Sequence, residues 1–435
     1  MINKSIERIA TDCNGILKIK TNDFFSSFSK DTRTIKSGDI YIALKGENYD
    51  GHDYIKKAFD LGAVAAIANN QYIGTQANII YVKDPLKALQ KISIINRNKW
   101  NGEVIGITGS AGKTTVKELC SSILSQENIV RKTFANYNNQ IGLPLTLTEL
   151  EESDECLIAE IGMNKPGEIR KLAGWLKPNI AILTDLGLAH SAKFNSIEDI
   201  VHEKCGILEE LNENDLAILD IDSPWFKYFE KITKANILTT SLYGKGDING
   251  KYHLDDFLEI NNEYYKLPQP GKHMARNTIK AIALAKYFKI SLDNIVNGIN
   301  EYSAPPMRWE KKIINKITWI NDSYNANPLS MYASLNTFKK HKGKRKIAII
   351  GKMHELGDHS TKQHKLLFDF LDNLNIYKWI FIGEWHNKSI YNNGLFIDNI
   401  DDTVMYLKKT LKFDDTVLLK ASRLEGFEEI LNNFK

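Results

Sequence analysis

Residues 104–126 read VIGITGSAGKTTVKELCSSILSQ, and this stretch decides the fold. The apolar run over residues 104–108 predicts a buried strand, and the pattern after residue 113 is that of an amphipathic helix. Between them lies a glycine loop over residues 109–113. The free backbone N–H groups of such a loop, together with the dipole of the following helix, form a cradle for phosphate oxygens. We therefore predict an α/β fold with a phosphate-binding loop whose ligand is a nucleotide.

Two side chains of the loop suit the chemistry of a nucleoside triphosphate. We expect Lys113 to reach the outer phosphates and Thr114 to hold magnesium. A strict phosphate-loop template has glycine six residues before the lysine, whereas this chain has Ile107, so the loop is a variant. The alternative is a chance glycine turn before a helix, but strand, loop, Lys-Thr-Thr and helix occur together here. The predicted ATP-binding residues of the loop are Gly109, Ser110, Ala111, Gly112, Lys113, Thr114 and Thr115.

The composition is that of an ordinary folded protein. The 435 residues are enough for two or three domains. Hydrophobic residues make up 43% and charged residues 25%, which argues against general disorder. The net charge of +4 is small, and the basic residues are interspersed with acidic ones. We therefore expect no nucleic-acid partner.

The cysteines and the N-terminal residues indicate an intracellular protein. Cys13, Cys120, Cys156 and Cys205 form no CxxC pair, which favours reduced thiols over disulfides or a structural zinc site. The first 20 residues are polar and lack the apolar segment of a signal peptide. No apolar run is long enough to span a bilayer. We expect a cytoplasmic protein without membrane insertion.

Strand-like apolar runs alternate with helical patterns over most of the chain, which favours α/β architecture. Two breaks interrupt the alternation: the polar residues 98–103, and the sequence SAPPM at residues 303–307, where proline ends a helix. We therefore predict three domains, over residues 1–100, 101–306 and 307–435. The second and third read as parallel sheets covered by helices, so their ligands should lie beyond the carboxyl ends of the strands.

Three side chains of the second domain are candidates for a magnesium site. Glu160 ends a predicted strand, and His190 ends the loop after another. Either could instead be structural. Lys204 lies within the apolar stripe of a predicted helix over residues 196–211, where burial of an unpaired ammonium would lower its pKa. It either extends to solvent or becomes a neutral amine, which can take up CO2 as a carbamate, an anionic oxygen ligand for magnesium.

The third domain begins with polar residues that suit a nucleotide. Asp322 ends a predicted strand, and Asn325 follows in the loop before the next helix. Residues of this type often only cap helices, but they also suit a ribose or an adenine edge. Arg308 could neutralise a terminal phosphate from across the cleft between the domains.

Taken together, these motifs resemble the Mur ligase family over nearly the whole chain. The most specific segments are NYNN at residues 136–139, DSYNANP at 322–328 and ELG at 355–357, a combination typical of the branch that ligates D-alanyl-D-alanine. Further matching segments are DTR at 31–33, GD at 38–39, ALKG at 43–46, DGH at 50–52, IGLP at 141–144, EIG at 160–162, AH at 189–190, GKH at 271–273 with Asn277, MR at 307–308, MH at 353–354, His364 and KASR at 420–423.

The resemblance implies an ATP-dependent carboxylate-amine ligase that forms an acyl phosphate. It implies a central phosphate-loop ATPase domain and a C-terminal Rossmann-like domain. The first domain would bind the UDP end of UDP-N-acetylmuramoyl-tripeptide, the second ATP and two magnesium ions, and the third D-alanyl-D-alanine. We expect a monomer.

The resemblance also implies roles for individual residues, each at a matching position of this chain. The implied catalytic residues are Lys113, His190, Lys204 and Arg308, and the implied metal ligands are Thr114, Glu160, His190 and Lys204 as its carbamate. The residues implied to bind ATP outside the loop are Asn277, Arg308, Asp322 and Asn325. Those implied to bind the UDP-linked substrate are Thr32, Arg33, Lys45, Asp50, His52, Asn136, Asn138 and Asn139.

The chain departs from the family pattern at a few positions. Ala421 and Leu424 stand where glycine is common, Ser191-Ala192 follow His190 where Leu-Glu is frequent, and Gly206 replaces a frequent glutamate. None of these departures removes a predicted ligand.

Two other functions share parts of this pattern. A folylpolyglutamate synthase would share the GKTT loop and the lysine, but the segment from DTR to DGH is what a UDP-sugar substrate would need. A phosphate-loop switch protein would bind the nucleotide without ligation. Release of phosphate that depends on an amine would separate a ligase from a switch.

Overall fold

The computed structural model describes residues 5–18, 23–74, 76, 78–189, 191–385 and 391–435. In this part of the chain the strands form four sheets, of five, seven, three and six strands in chain order. Three of the sheets are largely parallel and are packed against helices, which confirms the predicted α/β fold. No helix among the described residues is both long and apolar enough to cross a membrane.

The first sheet has the order β1-β5-β4-β3-β2, in which β1 is antiparallel to β5 and the other pairs are parallel. Its strands are β1 (Ile16–Leu17), β2 (Phe28–Ser29), β3 (Ile40–Ile42), β4 (Ala65–Asn69) and β5 (Ile79–Val82). Its helices are α1 (Ile6–Asp12), α2 (Ile55–Asp60) and α3 (Pro85–Lys99), with a 3-10 turn at Gly51–Tyr54. Helix α3 begins where Asp84 accepts two backbone N–H groups and proline follows.

The second sheet is parallel throughout, with the order β12-β11-β10-β9-β6-β8-β7. Its strands are β6 (Glu103–Thr108), β7 (Val130–Lys132), β8 (Cys156–Glu160), β9 (Ile180–Leu183), β10 (Leu216–Asp220), β11 (Asn236–Ser241) and β12 (Ile248–Asn249). The helices are α4 (Lys113–Leu124), α5 (Gly142–Thr148), α6 (Glu168–Leu176), α7 (Ile197–Glu209), α8 (Phe226–Ile232), α9 (Lys272–Tyr287) and α10 (Leu292–Glu301), with a 3-10 turn at Ser191–Lys193.

Both faces of this sheet are buried, which explains the unbroken apolar run that predicted β6. Ile105 and Ile107 join one core with α4 and α9, whereas Val104 joins the other with α6 and α7. Successive residues of a strand point to opposite faces, so a strand covered on both sides is apolar throughout. A small antiparallel sheet of β13 (Lys251–His253), β14 (Phe257–Ile260) and β15 (Glu263–Lys266) adds Leu258 and Ile260 to the first of these cores.

The last sheet has the order β16-β17-β21-β18-β19-β20. Its strands are β16 (Glu310–Ile314), β17 (Ile317–Asn321), β18 (Lys346–Ile350), β19 (Lys378–Ile382), β20 (Gly394–Ile397) and β21 (Thr416–Lys420). Its helices are α11 (Pro328–Lys340), α12 (Ser360–Asp372), α13 (Ile400–Thr410) and α14 (Glu428–Asn432), with 3-10 turns at Gly357–His359 and Arg423–Glu425. The sequence predicted a parallel sheet here, and the structure adds one antiparallel edge strand, β16.

Candidate active site

The phosphate-binding loop joins β6 to α4, as the sequence predicted. Gly112 has a positive φ of +88°, and a Cβ atom there would lie 2.6 Å from the Asn277 side-chain oxygen. Only glycine fits this close approach without displacing a neighbour. The ammonium of Lys113 donates a 2.8 Å hydrogen bond to the Gly109 carbonyl, which holds it over the loop. Burial lowers the pKa of Lys113, the nearby Glu160 opposes that shift, and Arg308 adds to it.

The segment that follows β9 packs against the phosphate-binding loop. The backbone N–H groups of Ser110 and Ala111 both donate to the Asp185 carbonyl, at 2.8 and 3.1 Å. The Ser110 hydroxyl donates to the Gly187 carbonyl at 2.7 Å. From the C-terminal domain, the Asn327 side chain donates to the Ser110 carbonyl at 3.0 Å. The loop is therefore held in shape by hydrogen bonds from two directions.

Thr114 and Glu160 form the polar centre of the site. The Thr114 hydroxyl donates to Glu160 Oε2 at 2.7 Å, and the Asn138 amide donates to Oε1 at 2.8 Å. Glu160 is almost fully buried at the end of β8, next to the strand that leads into the phosphate loop. Hydroxyl and carboxylate oxygens are the ligands that Mg²⁺ prefers, so this pair fits a magnesium ion shared with nucleotide phosphates.

Protein ligands for such an ion are few. No three His, Cys, Asp or Glu side chains gather into a metal cluster within the described ranges. His190, the further ligand implied by the resemblance, lies outside those ranges. A magnesium ion that keeps several waters and binds phosphate oxygens needs only one or two protein ligands, which agrees with the pair at the loop.

Lys204 lies on α7 and is fully buried. Its Nζ has no hydrogen-bond partner among the residues that the structure describes, and burial together with the Lys113 charge lowers its pKa well below the ordinary value. The neighbouring helix residues Ile200 and Leu208 belong to the same core, as the apolar stripe predicted. Burial favours the neutral form of an amine, and the neutral form is the one that reacts with CO2.

Arg308, from the C-terminal domain, contacts the residue that follows Lys113. Its Nη2 donates to the Thr114 hydroxyl at 3.0 Å, and its guanidinium lies 4.2 Å from the centre of the Tyr324 ring. The residues on either side, Met307 and Trp309, both have positive φ values, +62° and +56°. Such conformations are costly outside glycine and persist where the surrounding structure fixes them.

A second cluster lies at the carboxyl ends of β17 and β21. The Lys420 ammonium pairs with Asp322 at 3.0 Å and donates to the Asn325 carbonyl at 2.8 Å. Asp322 also accepts the Trp309 backbone N–H at 3.1 Å. No individual role was predicted for Lys420, although a lysine at the end of the buried strand β21 is a sequence feature that indicates a site residue.

Thr114, Glu160, Arg308, Asp322 and Lys420 line one cavity of about 350 Å³ between the phosphate loop and the C-terminal domain. It is lined by most of the predicted ATP-binding residues, namely Ser110, Ala111, Gly112, Lys113, Thr114, Thr115, Asn277, Arg308, Asp322 and Asn325, and by Asn136, Asn138 and Glu160. Gly109 contributes its carbonyl to Lys113 rather than to the lining. The lining also includes Asp185, Gln269 and His273, for which no role was predicted from the sequence. The fold brings these residues to the cavity from two distant segments of the chain.

Asn139 lies beside this cavity and has a local structural role. Its side-chain oxygen accepts the backbone N–H groups of Ile141 and Gly142, each at 3.0 Å, where α5 begins. It also lines a smaller cavity of about 70 Å³ that Lys113 and Asn138 share.

The five predicted substrate residues of the first domain do not line the 350 Å³ cavity. Arg33 is exposed and bound to Asp31 through its guanidinium, which lowers the pKa of Asp31 to about 2. His52 is hydrogen-bonded through both ring nitrogens, to the Asp50 carboxylate at 2.6 Å and from the Asn69 N–H at 3.0 Å. The remaining residues are Lys45, 3.8 Å from Asp50, and the partly exposed Thr32.

A second cavity, of about 410 Å³, lies beyond β18 and β19. Its polar lining includes Lys352, His354 and Glu384, and its base includes the buried His364. Ser422, two residues beyond Lys420 of the 350 Å³ cavity, accepts the backbone N–H of His354 at 3.0 Å, which links the linings of the two cavities. The pKa of His364 is lowered by burial, and its Nε2 accepts the Met353 N–H at 3.0 Å.

Comparison with known protein families matches three segments of the chain. Residues 26–104 match the Mur ligase family catalytic domain, residues 107–285 the Mur ligase middle domain, and residues 307–423 the Mur ligase glutamate ligase domain. These segments correspond to the three larger sheets.

Individual relatives are similar over nearly their whole length. A UDP-N-acetylmuramoyl-tripeptide--D-alanyl-D-alanine ligase of Bacillus subtilis is 31% identical, covering 100% of this chain and 98% of its own. The ligase of the same name from Rickettsia prowazekii is 30% identical, covering 93% and 94%. The solved structure of MurF ligase from Thermotoga maritima in complex with ADP is 26% identical, covers 94% of this chain and 96% of its own, and has a TM-score of 0.80.

Proposed function

This chain belongs to the Mur ligase family, and on that premise we propose that it joins D-alanyl-D-alanine to the terminal carboxylate of UDP-N-acetylmuramoyl-tripeptide with hydrolysis of ATP, in peptidoglycan precursor synthesis. The observation that carries the proposal is the 3.0 Å hydrogen bond from Arg308 to Thr114, which brings a cation of the C-terminal domain onto the phosphate-binding loop. A cation at this position would neutralise charge on a phosphoryl group during its transfer, which the formation of an acyl phosphate requires.

The first step is transfer of the γ-phosphate of ATP. The substrate carboxylate attacks the γ-phosphorus, the bond to the β-phosphate oxygen breaks, and an acyl phosphate and ADP form. Lys113 and Arg308 both line the cavity and would hold the phosphate oxygens as negative charge moves to ADP. The ATP ribose and adenine would contact Asn277, Asp322 and Asn325, which line the same cavity.

Two magnesium ions would neutralise the phosphate charges when they are bound, and the residues that would hold them between them are Thr114, Glu160, His190 and Lys204 as its carbamate. The carbamate forms when the neutral Lys204 amine attacks CO2: an N–C bond forms and one proton leaves. The fit is supported by the Nζ atom of Lys204, which is buried and has no hydrogen-bond partner in the described part of the chain. A carbamate would give that position a negative charge in place of an unsatisfied amine.

The second step joins the two substrates. The free amine of D-alanyl-D-alanine attacks the acyl carbon, a tetrahedral intermediate collapses, and phosphate leaves with formation of the amide. The 410 Å³ cavity suits the dipeptide, because it offers Lys352 to a carboxylate, and because its lining residue His354 is hydrogen-bonded to Ser422, close in the chain to Lys420 of the 350 Å³ cavity. The UDP end would bind the first domain around Thr32, Arg33, Lys45, Asp50 and His52, and the peptide end would reach the cavity past Asn136, Asn138 and Asn139.

The proposal extends to organisation. Boundaries near residues 100 and 306 would separate the three domains, because α3 ends at Lys99 before β6 and α10 ends at Glu301 before β16. A monomer suffices, since Thr114 and Arg308 of a single chain already meet. The cytoplasm is the compartment that supplies ATP and UDP-linked precursors, so we place the enzyme there.

Mass spectrometry of the product tests this function. Incubation with ATP, magnesium, UDP-N-acetylmuramoyl-tripeptide and D-alanyl-D-alanine should yield a product heavier than the tripeptide by one dipeptide less one water. A folate with glutamate, the substrates of the rival ligase, should yield none. Ligation of glutamate to folate without any UDP-linked product would refute the proposal in favour of that rival.

A further inference from the structure

A segment of the middle domain connects the phosphate loop to the loop that lines the 410 Å³ cavity. We call residues 185–189 and 191–193 the bridging segment. At its beginning, the Asp185 and Gly187 carbonyls accept hydrogen bonds from Ser110 and Ala111, as described above. The Gly187 N–H donates to the Ser110 hydroxyl at 3.1 Å, and the same hydroxyl donates to the Gly187 carbonyl, so two hydrogen bonds hold the start of the segment to the phosphate loop.

The other end of the bridging segment is bound to the C-terminal domain. The Ala192 N–H donates to the Glu355 carbonyl at 2.9 Å, and the buried Ser191 hydroxyl donates to the Leu356 carbonyl at 3.1 Å. Glu355 has a positive φ of +62°, a conformation that is uncommon for a residue other than glycine. Residues 355–357 also line the 410 Å³ cavity, so this short loop contacts the bridging segment and the proposed amine site at once.

Gly357 is the point of closest approach. Its φ is +55°, and a Cβ atom there would lie 2.9 Å from the Cα of Ala192, across the boundary between the domains. The neighbour is backbone, which cannot move aside as the end of a flexible side chain can. Any residue larger than glycine at this position must therefore separate the two loops.

We propose that this contact positions the two domains for ligation and keeps water from the acyl phosphate until the dipeptide amine attacks it. The inference rests on the proposed function, because it assigns the contact to that reaction. The side reaction that it prevents is hydrolysis: water adds to the acyl carbon, the carbon–oxygen bond to phosphate breaks, and carboxylate, inorganic phosphate and a proton are released. Ser191 and Gly357 are positioning residues, since they act through the domain contact.

The test compares phosphate released with amide formed in the full-length protein. The variants are Gly357→Ala, Ser191→Ala and the control Gly244→Ala. Gly244 also has a positive φ, +79°, but no heavy atom of the described residues lies within 4 Å of an added Cβ there. Wild type and Gly244→Ala should release one phosphate per amide. Gly357→Ala should release roughly two or more phosphates per amide, because separation of the loops admits water. Ser191→Ala should raise the ratio in the same direction by a smaller factor.

A one-to-one ratio in Gly357→Ala would overturn the inference, even if the rate of amide formation fell. If that variant does not fold, as judged by its circular dichroism, an unchanged ratio in Ser191→Ala has the same meaning. Absence of amide from the wild-type protein would refute the proposed function instead, so the two failures are distinguishable.

Discussion

Arg308 Nη2 donates to the Thr114 hydroxyl at 3.0 Å, although the two residues are 194 positions apart in the chain. The same hydroxyl donates to Glu160, so it connects a cation of the C-terminal domain to the carboxylate at the end of β8. The Arg308 Nε is buried and has no hydrogen-bond partner within the described ranges, which leaves a donor available within the site. On the proposed function, this arrangement would let the C-terminal domain contribute directly to phosphate transfer.

Replacing Arg308 should impair catalysis more than stability. In Arg308→Ala we expect kcat to fall roughly a hundredfold or more, because a positioned donor to the transferring phosphoryl group is lost. Arg308→Lys should recover part of the rate, since it keeps the charge and loses the planar fork. Steady-state kinetics with saturating substrates would measure both. The control is Arg8→Ala, which removes an exposed arginine on α1 paired with Asp12 and should leave kcat unchanged. An unaltered kcat in Arg308→Ala would exclude the proposed role.

Two buried lysines should respond in opposite ways to the same substitution. Among the described residues the Lys204 Nζ has no hydrogen-bond partner, so in protein that lacks the carbamate Lys204→Met removes a poorly solvated amine and should maintain or raise Tm. Activity should be lost in this variant, because the carbamate cannot form. Lys280, equally buried, pairs with Asp220 at 3.4 Å, so Lys280→Met leaves a buried carboxylate unpaired and should lower Tm while activity is kept at low temperature. Calorimetry and ligation assays would check both. Full activity in Lys204→Met would contradict a carbamate at this position.

The carbamate itself has a spectroscopic signature. Protein incubated with ¹³C-labelled bicarbonate should show one carbamate carbon resonance by NMR that is absent from Lys204→Met. The same resonance should persist in Lys280→Met, because the Lys280 amine is held by Asp220 and by the Arg276 carbonyl. Identical spectra for wild type and Lys204→Met would rule out the modification.

Stability should fall in mild acid because buried histidines resist protonation. The pKa of His364 is lowered from its ordinary value of 6.5 by burial, and burial shifts the pKa values of His273 and His341 in the same direction. Below pH 6.5 the unfolded chain binds protons that the folded chain does not, so stability decreases as pH falls toward the folded-state pKa values. Each such histidine contributes a slope of at most about 1.4 kcal/mol per pH unit.

The contribution of one histidine can be isolated by substitution. In His364→Gln the decrease in unfolding free energy between pH 6.5 and 5 should be shallower than in wild type, whatever its value at neutral pH. Urea denaturation at several pH values would measure the slopes. An equal slope in the variant would mean that His364 titrates normally in the folded protein.

Lys352 tests the placement of the dipeptide. In Lys352→Met, KM for D-alanyl-D-alanine should rise about tenfold or more, since a hydrogen bond to a charged group contributes roughly 1.5–3 kcal/mol. KM for ATP should not change, because Lys352 does not line the 350 Å³ cavity. The matched control is Lys378→Met, because Lys378 is the first residue of β19 and is not among the residues that line the 410 Å³ cavity. A KM for the dipeptide that is the same in all three proteins would place the amine elsewhere.

Local patterns were sufficient to predict the phosphate loop and the position of Lys204 within an apolar stripe, but not whether that lysine extends to solvent or is buried. The loop was predictable because strand, glycines and helix are contiguous in sequence, and Lys204 because it interrupts an apolar stripe of 3.6-residue period. The strand end at Glu160 was equally local. These features depend on burial within one domain, which the period of apolar residues records.

Features that depend on contacts between distant segments were not predictable. Lys420 and Gln269 line the 350 Å³ cavity because the C-terminal domain packs against the phosphate loop, and no short-range sequence pattern encodes that packing. Asn139 was predicted only as a substrate ligand, whereas its side chain also fixes the start of α5. Edge strand β16 alternates partly buried and exposed residues, a weaker signal than the apolar runs of the central strands.

The most direct test of the central claim is phosphate release by the wild-type protein with ATP and magnesium, with UDP-N-acetylmuramoyl-tripeptide and D-alanyl-D-alanine supplied separately and then together. Sustained release that requires both substrates, with one new amide for each ATP consumed, is the result that we predict. Release that is indifferent to both substrates, or that proceeds without an amide product, would contradict the assignment of this chain as a peptidoglycan ligase.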